Sequence, residues 1–124
     1  MINLMLVDDD KLAALIARKM LERASGKFEV SVYLNAVNAL KVLKNQRELP
    51  DAILLDINMP QIDGWKFLDY LNKMNVFTDV IMLTASLYED DMQKAKEDPQ
   101  VKGFFQKPLD KTKSVKLLRY YARP

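Results

Sequence analysis

Short, unbroken apolar runs alternate along this chain with stretches of helical periodicity. Leu4-Met5-Leu6-Val7, Ala52-Ile53-Leu54-Leu55 and Val80-Ile81-Met82-Leu83 are the clearest runs. Continuous runs of this kind predict strands of a parallel sheet buried on both faces. Phe28 to Tyr33 alternates apolar and polar residues and predicts a half-exposed strand, and Val101 to Gln106 predicts a fifth. Between the strands, Leu12, Leu15, Ile16 and Met20 recur at i, i+3, i+4 and i+8, an amphipathic helix ending near Ser25-Gly26. Asn35 is suited to cap a second helix that carries Ala36, Ala39, Leu40 and Leu43. Pro50-Asp51 breaks the pattern, and a loop holding Pro60, Asp63 and Gly64 leads to a third helix with Phe67, Leu68, Leu71 and Met74. Residues 88–97 predict a weaker, mostly polar helix with a thin stripe of Tyr88, Met92 and Ala95, stopped by Pro99. Val115, Leu118 and Ala122 mark the last helix.

Five alternations of strand and helix predict an α/β fold: a five-stranded parallel sheet, doubly wound and flavodoxin-like, with helices on both faces. A barrel would need about twice this length. There is no repeat and no Pro/Gly-rich linker, so residues 1–124 are expected to form one domain. A chain of 124 residues with 49% hydrophobic and 29% charged residues can bury a real core and is not disordered in composition. No apolar run approaches the roughly 18 residues that would suggest a membrane span. Met1-Ile2-Asn3-Leu4 enters a strand pattern directly, so no leader segment is expected.

Cysteine and histidine are both absent, which excludes disulfides, thiolate or imidazole metal sites, a histidine base and a phosphohistidine within this chain. A cytoplasmic location is the expectation that suits this composition. The net charge of +2 is too small and too interspersed to imply direct nucleic-acid binding. Nucleotide-binding readings fail because the three glycines form neither a Walker loop nor a dinucleotide fingerprint.

Four of the five predicted strands stop at, or just before, a residue able to handle a phosphoryl group. The first runs into Asp8-Asp9-Asp10, the third into Asp56, the fourth into Thr84, and Phe104-Phe105 is followed by Gln106, Lys107 and Pro108. Ligand sites of open α/β sheets gather at the carboxyl ends of strands, so these groups are expected to converge on one crevice. Three carboxylates held close repel unless a hard cation neutralises them. Magnesium accepts such oxygen ligands and completes its shell with water and phosphate. A carboxylate is also a nucleophile toward phosphorus, a threonine hydroxyl can hydrogen-bond a phosphoryl oxygen, and a lysine supplies a mobile charge to another. Taken singly, each residue has a plainer reading: Asp10 as a helix N-cap, Thr84 as a turn residue, Lys107 as solvated surface.

With these residues in hand, the chain closely resembles the receiver domain of bacterial two-component response regulators, of the chemotaxis single-domain kind, over essentially its whole length. The matching positions are the Asp8-Asp9 pair, Asp56 within L-L-D-I-N-M-P-Q-I-D-G, Thr84-Ala85, and Lys107-Pro108. The resemblance implies a phosphoacceptor switch in which Asp56 takes phosphate from a phosphohistidine on a sensor histidine kinase or histidine phosphotransfer protein. It implies that Asp9, Asp56 and the backbone carbonyl of Asn58 bind magnesium, with Asp8 acting largely through water. It also implies contacts from Thr84 and Lys107 to the phosphoryl group, a cis Lys107-Pro108 peptide, and a family glycine at Gly64, whose plainer reading is a positive-φ turn residue. The family's switch aromatic falls on Phe104, three before Lys107. Thr84 would shift toward the phosphate while Phe104 rotates inward and remodels the face of the fourth helix, fifth strand and fifth helix. Phe104 has no hydroxyl, so packing alone drives its burial.

Asn58 and Ser86 would flank the path of the hydrolytic water, and both are short and polar, so the phosphoryl group is expected to be only moderately long-lived. Self-phosphorylation and autodephosphorylation are expected in place of steady turnover. An aspartyl phosphatase would need a second acid two residues after the nucleophile, where this chain has Asn58. A phosphorylation-independent scaffold is the alternative, opposed by the intact set Asp8, Asp9, Asp56, Thr84 and Lys107. The chain stops at Arg123-Pro124 without an effector domain, so a stand-alone receiver is expected ahead of a fragment of a larger transcriptional regulator. Lys111, Lys113, Lys116, Arg119 and Arg123 make the last helix basic, as a solvated face or a docking surface for an acidic partner. Tyr120-Tyr121 would add contact area for an unidentified downstream protein or a homodimer.

Overall fold

The computed structural model describes residues 1–45, 47–85 and 87–122. Five strands alternate with five helices: β1 (Ile2–Val7), α1 (Lys11–Ala24), β2 (Phe28–Tyr33), α2 (Ala36–Asn45), β3 (Ala52–Asp56), α3 (Gly64–Lys73), β4 (Asp79–Thr84), α4 (Glu89–Glu97), β5 (Val101–Gln106) and α5 (Lys111–Tyr121). The strands form one parallel sheet in the order β2-β1-β3-β4-β5. The chain leaves β1 toward β2 and then returns past β1 to lay down β3, so winding reverses between β1 and β3. At such a switch point the loops diverge and open a crevice at the carboxyl edge.

Strand side chains alternate between two cores. Met5, Val7, Ile53, Leu55, Val80 and Met82 pack with Ala39, Leu40 and Leu43 of α2 and Phe67, Leu68 and Leu71 of α3. Leu4, Leu6, Leu54, Ile81 and Leu83 pack with Ala14, Ala17 and Leu21 of α1 and Leu117 of α5. Burial on both faces explains the unbroken apolar runs of β1, β3 and β4. Among the described residues no helix is long and apolar enough to cross a membrane.

Helix starts follow local capping chemistry. Asp10, Asp63 and Asp110 each accept a backbone N–H three residues on, from Ala13, Lys66 and Lys113, and Asn35 accepts that of Asn38. The predicted elements all form, but the buried faces of three helices differ from the sequence reading. In α1, Leu12, Leu15 and Ile16 are exposed, while the sheet-facing stripe is Ala14, Ala17 and Leu21. Both stripes have helical spacing, and the small alanines bring this helix close to the strands. In α5 the buried positions are Ser114 and Leu117, with Val115, Leu118 and Ala122 half-buried. The Ser114 hydroxyl is satisfied by donating to the Asp110 carbonyl at 2.8 Å. In α4 only Ala95 is buried, and Tyr88 and Met92 are exposed.

Candidate functional site

The strand order carries Asp8, Asp9, Asp56, Thr84 and Lys107 to one edge of the sheet. Asp8 and Asp9 follow β1, Asp56 ends β3, Thr84 ends β4 and Lys107 follows β5. One oxygen from each of Asp8, Asp9 and Asp56 lies within 4.8 Å of the others. Asp8 and Asp56 are 2% and 5% exposed, Thr84 is fully buried, and Asp9 faces solvent.

Backbone donors fix the two buried carboxylates. Asp8 Oδ1 accepts the Asp10 N–H at 2.9 Å, and Asp56 Oδ1 accepts the Asn58 N–H at 3.3 Å. Their other oxygens face the Lys107 ammonium, whose Nζ lies 2.7 Å from Asp8 Oδ2 and 3.2 Å from Asp56 Oδ2. Lys107 is in turn placed by its own backbone, whose N–H donates to the Thr84 carbonyl at 2.7 Å. The Lys107-Pro108 peptide is cis.

Burial raises the Asp56 carboxyl to about 6; the charge of Lys107 opposes the rise and that of Asp8 adds to it. Burial alone would lower the Lys107 ammonium, but its hydrogen bond to Asp8 and the charges of Asp56 and Asp8 outweigh it, so it is held above its ordinary value. Three carboxylates against one ammonium leave the crevice electronegative. Among the described residues it offers no nitrogen or sulfur ligand, a donor set that suits a hard divalent cation.

Gly64 completes the site, and its plainer reading as a positive-φ turn residue does not hold. It has no positive φ; among the described residues the left-handed non-glycine positions are Gln61 and Asn75. Its role is close approach: its N–H donates to the Ile57 carbonyl at 2.8 Å. A Cβ there would lie 2.9 Å from Ile57 Cα and 3.1 Å from the Asp56 carbonyl oxygen.

Asn58 is exposed beside the carboxylates. Ser86 and Arg123 lie outside the described residues. Phe104 is half-buried against the α2/α3 core and Phe105 against the α1/α5 core, so the strand divides them between the two faces. Sequence reasoning assigned the apolar side chains of α1 to the core, yet Leu12 and Ile16 line a cleft of about 360 Å³ shared with Asp8, Lys107 and Pro108. Trp65 drew no attention in the sequence, where its one signal is being the single tryptophan, directly after Gly64.

A family model described as the response regulator receiver domain matches residues 4–119. The chain is 32% identical over 93 residues to the sensor histidine kinase CheAY of Helicobacter pylori, covering 73% of this chain and 11% of that protein. It is 32% identical over 84 residues to the two-component response regulator ARR11 of Arabidopsis thaliana, covering 68% of this chain and 16% of that one. The chain thus spans less than a fifth of these two relatives. A two-component response regulator from Legionella pneumophila superposes with a TM-score of 0.83 at 27% identity, covering 97% of both chains. With the family model spanning nearly its full length, the chain belongs to the response regulator receiver domains, the phosphoacceptor signalling switches of two-component systems.

Proposed function

We propose that Asp56 is the phosphoacceptor, taking a phosphoryl group from a phosphohistidine on a sensor histidine kinase or histidine phosphotransfer protein. The observation that carries this reading is the meeting of Asp8, Asp9 and Asp56 with the Lys107 ammonium at one sheet edge. A carboxylate oxygen of Asp56 attacks phosphorus as the P–N bond breaks. The bonding pair stays on the ring nitrogen, and an imidazole protonated at its other nitrogen leaves neutral. Lys107 already touches both buried carboxylates, so its ammonium can follow the charge from Asp56 to a phosphoryl oxygen. The Thr84 hydroxyl, buried at the end of β4, donates to another. Hydrolysis later returns the carboxylate when water attacks phosphorus beside Asn58.

The donor set fits magnesium, for which Asp9, Asp56 and the Asn58 carbonyl would be the direct protein ligands and Asp8 would act largely through a bound water. When bound, magnesium supplies the positive charge that screens the carboxylates from an incoming phosphoryl group.

The donor has an apolar landing place beside the site. Leu12 and Ile16, 69% and 43% exposed, border the cleft that reaches Asp8 and Lys107. A helix presenting its phosphohistidine among apolar side chains would cover both. Downstream, Thr84 and Phe104 would transmit occupancy to α4, β5 and α5, where exposed Lys111, Lys116, Arg119 and Tyr120 offer a basic surface to a protein target or a second copy.

Incubation with acetyl phosphate and magnesium tests the chemistry by intact-mass spectrometry. Wild type gains one phosphoryl group and Asp56→Asn gains none; equal labelling of the two overturns the proposal.

A further inference from the structure

Trp65 stands between the backbone of the site and α4. It follows Gly64 in the first turn of α3, where the Gly64 N–H is tied to the Ile57 carbonyl at 2.8 Å, so this turn rests directly on the backbone after Asp56. On its other side, the indole Nε1–H donates to Asp91 Oδ1 at 2.9 Å. The Lys94 ammonium lies 5.5 Å from the centroid of the indole ring system, within cation–π range. Asp91 and Lys94, three apart, sit on one face of α4.

Little else holds α4. Of its nine residues only Ala95 is buried, and its packing on the sheet is against β5. Gln93 and Glu97 bond each other within the helix. Among the described residues, the polar side-chain ties from α4 to the rest of the protein both end on Trp65.

We propose that Trp65, Asp91 and Lys94 form a latch that sets the position of α4 against the phosphoacceptor loop. Occupancy of Asp56 and release of α4 are then coupled through Trp65. The inference rests on reading Asp56 as the phosphoacceptor, and adds a route to α4 separate from Thr84 and Phe104. The latch is closed while Lys107 is paired with Asp8 and Asp56. A contact made in that arrangement and lost on occupancy opposes occupancy, and the coupling is reciprocal.

Titration of the whole chain with beryllofluoride and magnesium tests this, with fluorine NMR reporting occupancy and the Trp65 indole N–H resonance reporting the latch. The indole resonance moves as Asp56 fills. Asp91→Ala lowers the beryllofluoride midpoint roughly threefold to tenfold, as expected for one lost hydrogen bond of ordinary net strength. Asp90→Ala, which removes a neighbouring exposed acid of the same turn, leaves the midpoint in place. In a Trp65→Phe background, Asp91→Ala has no further effect. An unmoved indole resonance at full occupancy overturns the latch alone, as do equal midpoints for wild type and Asp91→Ala. No bound-fluoride signal in wild type overturns the phosphoacceptor reading, and the latch with it.

Discussion

Lys107 and Asp8, ninety-nine positions apart in sequence, meet at 2.7 Å between Nζ and Oδ2. The same ammonium lies 3.2 Å from Asp56 Oδ2, so one cation bridges two carboxylates that would otherwise share a buried crevice unscreened. Removing a partner from such a pair leaves uncompensated charge behind. Lys107→Met is therefore expected to lower the stability of the metal-free protein by about 1–3 kcal/mol near neutral pH. Urea unfolding in the presence of a chelator measures the loss, and magnesium should return part of it.

Acidity at Asp56 gives stability a pH dependence of defined sign. The folded carboxyl titrates at about 6 because burial disfavours its charged form, whereas in the unfolded chain it titrates at about 4. Between those values the folded state holds the extra proton, so stability falls as pH rises through the window. Above pH 6 the full cost of the buried charge remains, at most about 3 kcal/mol from a two-unit shift. Asp56→Asn should thus be more stable than wild type at pH 7 without metal and show a flatter profile from pH 4 to 6. Thermal unfolding against pH compares the two.

Close approach at Gly64 predicts a local lesion with a distant cause. The Cβ of Gly64→Ala would press on Ile57 Cα and the Asp56 carbonyl, where backbone has little room to yield. The substitution is expected to cost about 1–3 kcal/mol. Acetyl phosphate labelling should slow because the loop carrying Asp56 and Asn58 moves, and chemical denaturation with timed labelling checks both.

The exposed apolar face of α1 separates donor recognition from chemistry. Leu12→Ser and Ile16→Ser remove side chains that are 69% and 43% exposed, so folding should change little. Labelling by acetyl phosphate should match wild type, while transfer from a phosphorylated histidine phosphotransfer domain should slow by roughly tenfold if these residues anchor the interface. Equal transfer rates would remove α1 as the docking face.

Most of this was readable before the coordinates because it rests on short-range pattern. Unbroken apolar runs name β1, β3 and β4, and the residues closing each run are brought together by the parallel topology. The face of α1 was not readable. Leu12, Leu15 and Ile16 satisfy helical spacing as well as Ala14, Ala17 and Leu21 do, and the larger side chains attract the core assignment. Only the sheet's need for close packing shows that the alanines face inward. Gly64 was recognisable as a special position, but turn chemistry suggests positive φ, while the real constraint comes from Ile57, seven residues back. The bond between Trp65 and Asp91 spans twenty-six positions and joins two helices, a separation at which periodicity carries no information.

The most direct measurement reduces the labelled protein with borohydride, which converts an aspartyl phosphate to homoserine, and reads the altered position by peptide sequencing. Conversion at residue 56, dependent on magnesium and abolished by a chelator, is the predicted result. Conversion at Asp8, Asp9 or any other acid, with residue 56 intact, would contradict the account.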